Sequence, residues 1–486
     1  MRGGGKPSPR GGEPPPGSEH PPAQPDPAGQ EADGGPAGRE ADGGPAGRDG
    51  QACPGCGGLH EHPLEELSLR AGALQRLGEL AGRKRWGSLL VVADANTAEV
   101  LGDETAALLA GGGHAVSRLT FPLREGLRAD EGSLAQARAA VASSGADAAV
   151  SVGSGTVTDI TRAASFLEDR PFCAVATAAS MDGYASGVAA MQFGGVKVTL
   201  ETRPPVGVFA EPTVLAAAPR EMAAWGLGDL LGKASASFDW RLGHGVTGEA
   251  YCPEIEARVL RPVRRCAANV EAILDGDETG LSVLLSGLVE SGVAMAMFGS
   301  SRPASGCEHH CSHLFDLLAF RGLRRHGPHG LQVGYATGFA TSLQRACIEG
   351  LGEPLLLAPG TSAPGESRWL GVESAALEDV RSAKARAFAG YAASWPPDPA
   401  ALAALGELLA GAVGLFAPVT AALERAGIPA GTGFLGVDDE LLRATLRYAN
   451  HLRNRFTVLD LLESQRRLEQ AIDSLLGESS THTAQS

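Results

Sequence analysis

Apolar and polar positions divide this chain into regions of different period. From about residue 63, short apolar runs bounded by glycine and polar turns alternate with stretches of helical spacing. SLLVVADAN reads as a buried strand ending near Asp94 and Asn96. AVSRLTF, ADAAVSV and FCAVATAAS read as further strands. PLEELSLRAGALQRLGELAG, ETAALLAGG (closed by Gly111-Gly112-Gly113) and SLAQARAAVASSG carry helical periodicity. VKVTLETRPPVGVFAEPTVL supplies the last strands. Strands joined through helices on short loops predict a parallel sheet with right-handed crossovers.

Beyond about residue 218 the strand pattern vanishes. VRRCAANVEAIL, SVLLSGLVESGVAMAMF, LQVGYATGFATSLQRACI, AALGELLAGAVGLFAPVTAALERAG and LLRATLRYANHLRNRFTVLDLLESQRRL all have helical stripes. The expected architecture is an α/β N-terminal nucleotide-binding domain with a parallel sheet over 63–217, then an all-α C-terminal domain over 218–476. A site in the cleft between them follows, since small-molecule sites favour domain interfaces. The first 50 or so residues contain the repeat EADGGPAGREADGGPAGRDG and almost no large apolar side chain. Such a segment cannot offset its ordering entropy, so 1–62 is expected as a disordered tail and 477–486 (GESSTHTAQS) as a second.

Composition changes this picture only at the margins. The chain has 486 residues, 43% of them hydrophobic, enough for two cores. A net charge of −15 and a pI near 5.3 argue against a nucleic-acid or anionic-membrane partner. We find no run of about 18 apolar residues, so no membrane span is expected. The absence of an apolar leader predicts no secretory signal. Eight cysteines without framework spacing read as reduced thiols, which points to a cytoplasmic location. Cys53 and Cys56 form one CxxC; a zinc knuckle needs a second ligand pair, which His60 and His62 could supply, and the plain alternative is unstructured tail.

The densest chemistry lies in SGCEHHCSHLFDLLAFRGLRRHGPHG, residues 305–330. It holds His309, His310, His313, His326 and His329, five of twelve histidines. His309 and His313 are four apart, so a helix presents both on one face. Gly327, Pro328 and Gly330 break the pattern and bring in His326 or His329 from a second segment. Imidazole is the commonest transition-metal ligand among side chains, and an oxygen ligand is expected from elsewhere. Asp229, in AAWGLGDLLGK, opens an apolar helical pattern and is either a ligand or an N-terminal cap. One aspartate and two histidines leave a coordination position open, as a catalytic metal requires.

The other candidate is Gly153-Ser154-Gly155-Thr156, between an apolar strand and a helix. Glycines there let backbone N–H groups approach a phosphate, although the spacing is not GxGxxG and a tight turn is the plain alternative. Asp159, one turn further in, orients the loop or caps the helix. Thr177 and Ser180 follow a strand end, where ligands of open α/β sheets gather, and Asp182 and Tyr184 lie in a glycine-flanked loop.

VGSGTVTDITRAAS, ATAASMDGYAS, GLGDLLGK, SRPASGCEHHCSHLFD, HGLQVG and NRFTVLDLL, in that order over about 65–475, resemble the sn-glycerol-1-phosphate dehydrogenases. These form a branch of the iron-containing alcohol dehydrogenase and dehydroquinate synthase-like superfamily, and the bacterial-type members look closest. The resemblance implies NAD(P)H-dependent reduction of dihydroxyacetone phosphate to sn-glycerol 1-phosphate in a homo-oligomer. It implies one divalent metal, zinc in archaeal members and nickel in some bacterial ones, on Asp229, His309 and His329. It places Asp182, Asp229 and His313 against substrate, with His313 and Asp229 catalytic. It places Asp94, Gly153, Ser154, Gly155, Thr156, Asp159, Thr177, Ser180 and Ser186 against the cofactor, and leaves His310 and His326 as bystanders. Arg302 and Lys233 are the nearest cations for the substrate phosphate, unless they are ordinary surface charge. A glycerol or polyol dehydrogenase, or a dehydroquinate-synthase-like enzyme, is the alternative on this scaffold.

Overall fold

The computed structural model describes residues 52–61, 63–122, 126–194, 196–360, 369 and 375–483. Within them the first half builds a six-stranded sheet of order β1-β8-β5-β4-β2-β3, every neighbouring pair parallel. The strands are β1 (Glu66–Leu69), β2 (Ser88–Asp94), β3 (Ala115–Phe121), β4 (Ala148–Gly153), β5 (Phe172–Ala176) and β8 (Gly207–Ala210). β6 (Val188–Phe193) and β7 (Val196–Glu201) pair antiparallel as a separate ribbon. Alternation explains the layers. In β2, Leu89, Val91 and Ala93 face a cluster shared with the helix Ala73–Lys84, while Leu90 and Val92 face the helices Glu131–Ser144 and Gly155–Leu167. On β5 and β8, Ala174, Ala176, Val208 and Ala210 enter the same core as Leu227, Leu284 and Phe315 of the helical half. The two halves therefore share one continuous apolar interior.

The expected fold class holds, with local corrections. PLEELSLR was read as helix, but ELSL alternates and pairs as edge strand β1 with Gly207–Ala210; the helix starts only at Ala73. The last long helical pattern is interrupted between Tyr448 and Val458. There Thr457 and Asp460 form a capping box that restarts the helix, leaving 449–456 as a connection that opens with the 3-10 turn Ala449–His451. Ala52–Glu61, read with the 1–62 tail, is placed against the helical half, His60 Nδ1 bonding the Met297 carbonyl at 3.0 Å. The last helix, Leu468–Thr483, runs into the stretch read as a polar tail.

Two helical stretches, Glu278–Phe298 and Pro399–Arg425, are long and apolar enough to cross a membrane by length and composition, a run the sequence reading did not find. The first is core, with Leu284, Leu285, Leu288 and Val289 fully buried. The second owes its hydropathy to alanine and leucine, and among its described residues Leu405, Leu409, Ala412, Phe416, Val419, Ala422 and Leu423 turn inward.

Candidate active site

Because neighbouring strands are parallel and in register, Asp94, Gly153 and Ala176 end side by side on one sheet edge. Ser154 is the N-cap of the helix Gly155–Leu167, so that helix opens on this edge. A Cβ on Gly153 would meet Val157 at 2.8 Å, and one on Gly155 would meet Met181 at 3.3 Å. The turn is thus close-packed, and its backbone is what faces an incoming group. Thr177 continues the edge, its N–H bonding the Gly153 carbonyl at 3.2 Å.

Several predicted side chains on this edge are committed within the protein. Asp94 Oδ1 caps its own loop, accepting from the Thr97 N–H at 2.8 Å and the Thr97 hydroxyl at 3.1 Å. Asp159 pairs with the buried Arg162 at 2.9 Å, and burial pushes its carboxyl up to about 6 despite that cation. Arg162 in turn donates to the carbonyls of Gly183, Tyr184 and Val188 and lies over the Phe172 ring. Ser186 Oγ donates to the carbonyls of Gly183 and Val188. Asp159 and Ser186 therefore hold the 181–188 loop in shape. The Tyr184 hydroxyl, donating to the Ala178 carbonyl at 2.7 Å, does the same.

That loop joins the two candidate sites. Met181 lies over Gly155, and the next residue, Asp182, donates its N–H to Asp229 Oδ2 at 3.0 Å. Asp229 sits in the last turn of the helix Arg220–Leu231, so the N-terminal-cap reading falls. It is set there by backbone contact. A Cβ on Gly228 would meet the Gly330 carbonyl oxygen at 2.2 Å, and one on Gly330 would meet that of Trp225 at 2.0 Å. Only glycine lets the helices Arg220–Leu231 and His329–Ile348 approach so closely, and that approach brings Asp229 beside His329.

His309 projects from the helix Cys307–Phe320, and its Nε2 lies 3.7 Å from Asp229 Oδ1. One donor atom each from Asp229, His309 and His329 lies within 4.8 Å of the others. The second ring nitrogens are anchored. His309 Nδ1 meets Glu308 Oε1 at 2.7 Å, and His329 Nδ1 meets Ser312 Oγ and Lys197 Nζ at 3.2 Å each. Glu308 is itself held by the Gly306 N–H and the Ser235 hydroxyl, both at 2.7 Å. Such partners fix the tautomer and ring orientation of metal-binding histidines. Burial raises the Asp229 carboxyl, but the Lys233 ammonium at 2.6 Å outweighs it and holds it ionised. Burial and then Lys197 lower His329 to about 3, so its ring is neutral. The residue set, one carboxylate and two imidazoles with second nitrogens occupied, fits a divalent cation.

His313 lies one turn beyond His309, with ring centroids 6.4 Å apart. Burial, then Arg453, keep it neutral, and Arg453 Nε donates to its Nδ1 at 3.3 Å. The ring proton is thereby placed on Nε2. His310 is fully buried away from this group, and His326 is exposed. The phosphate candidates need correction. Lys233 is shared between Asp229 and Asp182 (2.9 Å), and Arg302 is clamped by Glu249 and the carbonyls of Asp239 and Phe456. Two cations missed by sequence reasoning face the histidines instead. Lys197 of β7 bridges His329 and Asp316, and Arg453 bridges His313 and Thr199 of β7. The alternation in VKVTLE was the available signal, since it puts Lys197 and Thr199 on one face.

Comparison with known proteins agrees with this architecture. The family described as iron-containing alcohol dehydrogenase matches residues 68–219. The structure of an iron-containing alcohol dehydrogenase from Thermococcus thioreducens superimposes with a TM-score of 0.58 at 16% identity, over 86% of this chain and 99% of that one. The fold is that of the iron-containing alcohol dehydrogenases. The glycerol-1-phosphate dehydrogenase [NAD(P)+] of Halalkalibacterium halodurans is 36% identical over 313 residues, covering 62% of this chain and 78% of its own length. That of Bacillus velezensis is 31% identical over 403 residues, 82% of this chain and 91% of its own. The chain belongs to the glycerol-1-phosphate dehydrogenase family.

Proposed function

We propose that this enzyme reduces dihydroxyacetone phosphate to sn-glycerol 1-phosphate with NADH or NADPH, reversibly, in the cleft between the glycine turn and the histidines. The observation that carries the reading is the convergence of Asp229, His309 and His329, linked through the 181–188 loop to the sheet edge. A divalent ion such as zinc or nickel, held by those three residues, supplies a Lewis acid for the substrate oxygen. The turn Gly153–Thr156, with Thr177 and Ser180 beside it, receives the pyrophosphate through backbone N–H groups, and Asp94 borders the adenosine end. Asp182 and Lys233 form a buried polar floor next to Asp229 that orients the hydroxyls of the substrate.

A bound NADH or NADPH would supply the hydride for the carbonyl carbon, and the proton that completes the alcohol goes to its oxygen. His313, kept neutral with Nδ1 accepting from Arg453, offers its Nε2–H as a hydrogen bond that positions that oxygen, and the proton itself comes from solvent. Lys197 and Arg453 present N–H donors for the phosphate, as charge-assisted hydrogen bonds require. The test is oxidation of NADH and NADPH with dihydroxyacetone phosphate and, in parallel, with unphosphorylated dihydroxyacetone. Consumption with the phosphate ester, yielding the sn-1 product, supports the reading. Faster turnover of dihydroxyacetone would move the enzyme to the polyol dehydrogenases.

A further inference from the structure

A second donor cluster lies apart from the catalytic cleft. Cys53, Cys56 and His60 come from Ala52–Glu61, and Cys252 lies 199 residues beyond Cys53, at the N-cap of the helix Pro253–Ala268. Their donor atoms all lie within 4.8 Å of one another. Cys53 Sγ is 3.6 Å from Cys252 Sγ, and His60 Nε2 is 3.3 Å from Cys56 Sγ and 3.5 Å from Cys252 Sγ. A tetrahedral zinc with bonds of about 2.3 Å to sulfur and about 2.1 Å to nitrogen sets its sulfurs about 3.8 Å apart and sulfur to nitrogen about 3.6 Å. We propose that Cys53, Cys56, His60 and Cys252 bind a structural zinc ion that staples the N-terminal segment to the helical half.

The surroundings supply backbone donors to two of the sulfurs. The N–H groups of Gly55 and Cys56 turn toward the Cys53 sulfur, and the Ile255 N–H toward that of Cys252 at its helix N-terminus. The turn is closed by Cys53 N–H to the Gly58 carbonyl at 2.7 Å and Gly57 N–H to the Cys53 carbonyl at 2.8 Å. His60 Nδ1 donates to the Met297 carbonyl, which leaves Nε2 as the acceptor aimed at the sulfurs, as in zinc-bound imidazoles generally. Trp240, Ile255, Val259 and Ala294 cover the inner side with apolar surface. Four protein donors leave no open position, so this ion is structural, unlike one held by Asp229, His309 and His329. A disulfide would use two sulfurs and leave the third, with the histidine, converging on nothing.

The full-length protein tests this by zinc content and by cobalt substitution. Cys56→Ser, at an exposed position, is expected to lower bound zinc by one equivalent per chain while turnover persists. Cobalt reconstitution of the chelated wild-type chain is expected to produce thiolate-to-cobalt charge-transfer absorption. That signal cannot come from the Asp/His cluster, which has no sulfur, so the result stands or falls independently of the proposed reaction. His309→Ala should keep the absorption and His60→Ala should weaken or lose it. Unchanged zinc in Cys56→Ser, no thiolate band, or a native mass showing a disulfide at Cys53 or Cys252 would each overturn the site.

Discussion

The sheet edge and the histidine cleft solve binding in opposite ways. At the edge, the polar side chains are largely consumed: Asp94 caps its loop, Asp159 holds Arg162, and Ser186 ties two carbonyls. What remains for a ligand is backbone, packed so tightly that Gly153 and Gly155 have no room for a Cβ without displacing Val157 or Met181. In the cleft the backbone is hidden by glycine contacts between helices, and the side chains are presented. The edge suits a phosphate that any N–H can hold; the cleft suits a reaction needing charge and protons at fixed atoms.

The largest expected effect is on the cleft. His309→Ala or Asp229→Asn removes a ligand whose ion contributes several kcal/mol, so turnover should fall by about a thousandfold or more with the fold intact by circular dichroism. Near wild-type rates in either variant would sink the metal assignment. Glu308→Gln leaves His309 in place but loosens its ring, and a 10- to 100-fold loss in metal affinity or rate is expected, read by metal titration. An unchanged affinity would mean that Glu308 does not orient the ligand.

Lys197→Met should raise KM for the phosphorylated ketone about tenfold or more, since a charge-assisted hydrogen bond contributes about 1.5–3 kcal/mol. The KM for NADH should stay constant, which separates the cleft from the edge. A smaller effect concerns His310, buried with both ring nitrogens lacking a partner and held neutral by burial, then by Lys384 and Arg455. Its folded pKa lies below the unfolded value near 6.5, so the unfolded chain binds the extra proton and stability falls as pH drops through 6.5. The slope is at most about 1.4 kcal/mol per pH unit for this one group. His310→Leu should therefore shrink the loss of Tm between pH 7 and pH 5. Smallest of all, deleting residues 1–50 should leave the kinetics unchanged.

How much was legible follows from the range of each interaction. Period and turn chemistry exposed the parallel sheet, the helical half and the glycine turn, because all are local. Asp229, His309 and His329 were reachable only through clustering and motif resemblance, and the structure brings them together through Gly228 and Gly330. Lys197 and Arg453 were missed because one sits on a ribbon and the other on a connection inside an apparently continuous helical pattern. Arg302 and Lys233 were over-read, since sequence spacing does not show that Glu249, Asp182 and Asp229 already hold them. ELSL looked helical beside a long helix, and only its partner Gly207–Ala210 makes it a strand.

The most direct test is a metal titration of chelated enzyme, following NADH and NADPH oxidation with dihydroxyacetone phosphate. Wild-type activity should return in step with one equivalent of zinc or nickel beyond any held by the cysteines, and Asp229→Asn should stay inactive throughout. Full activity in the chelated enzyme, or equal recovery in Asp229→Asn, would contradict the account.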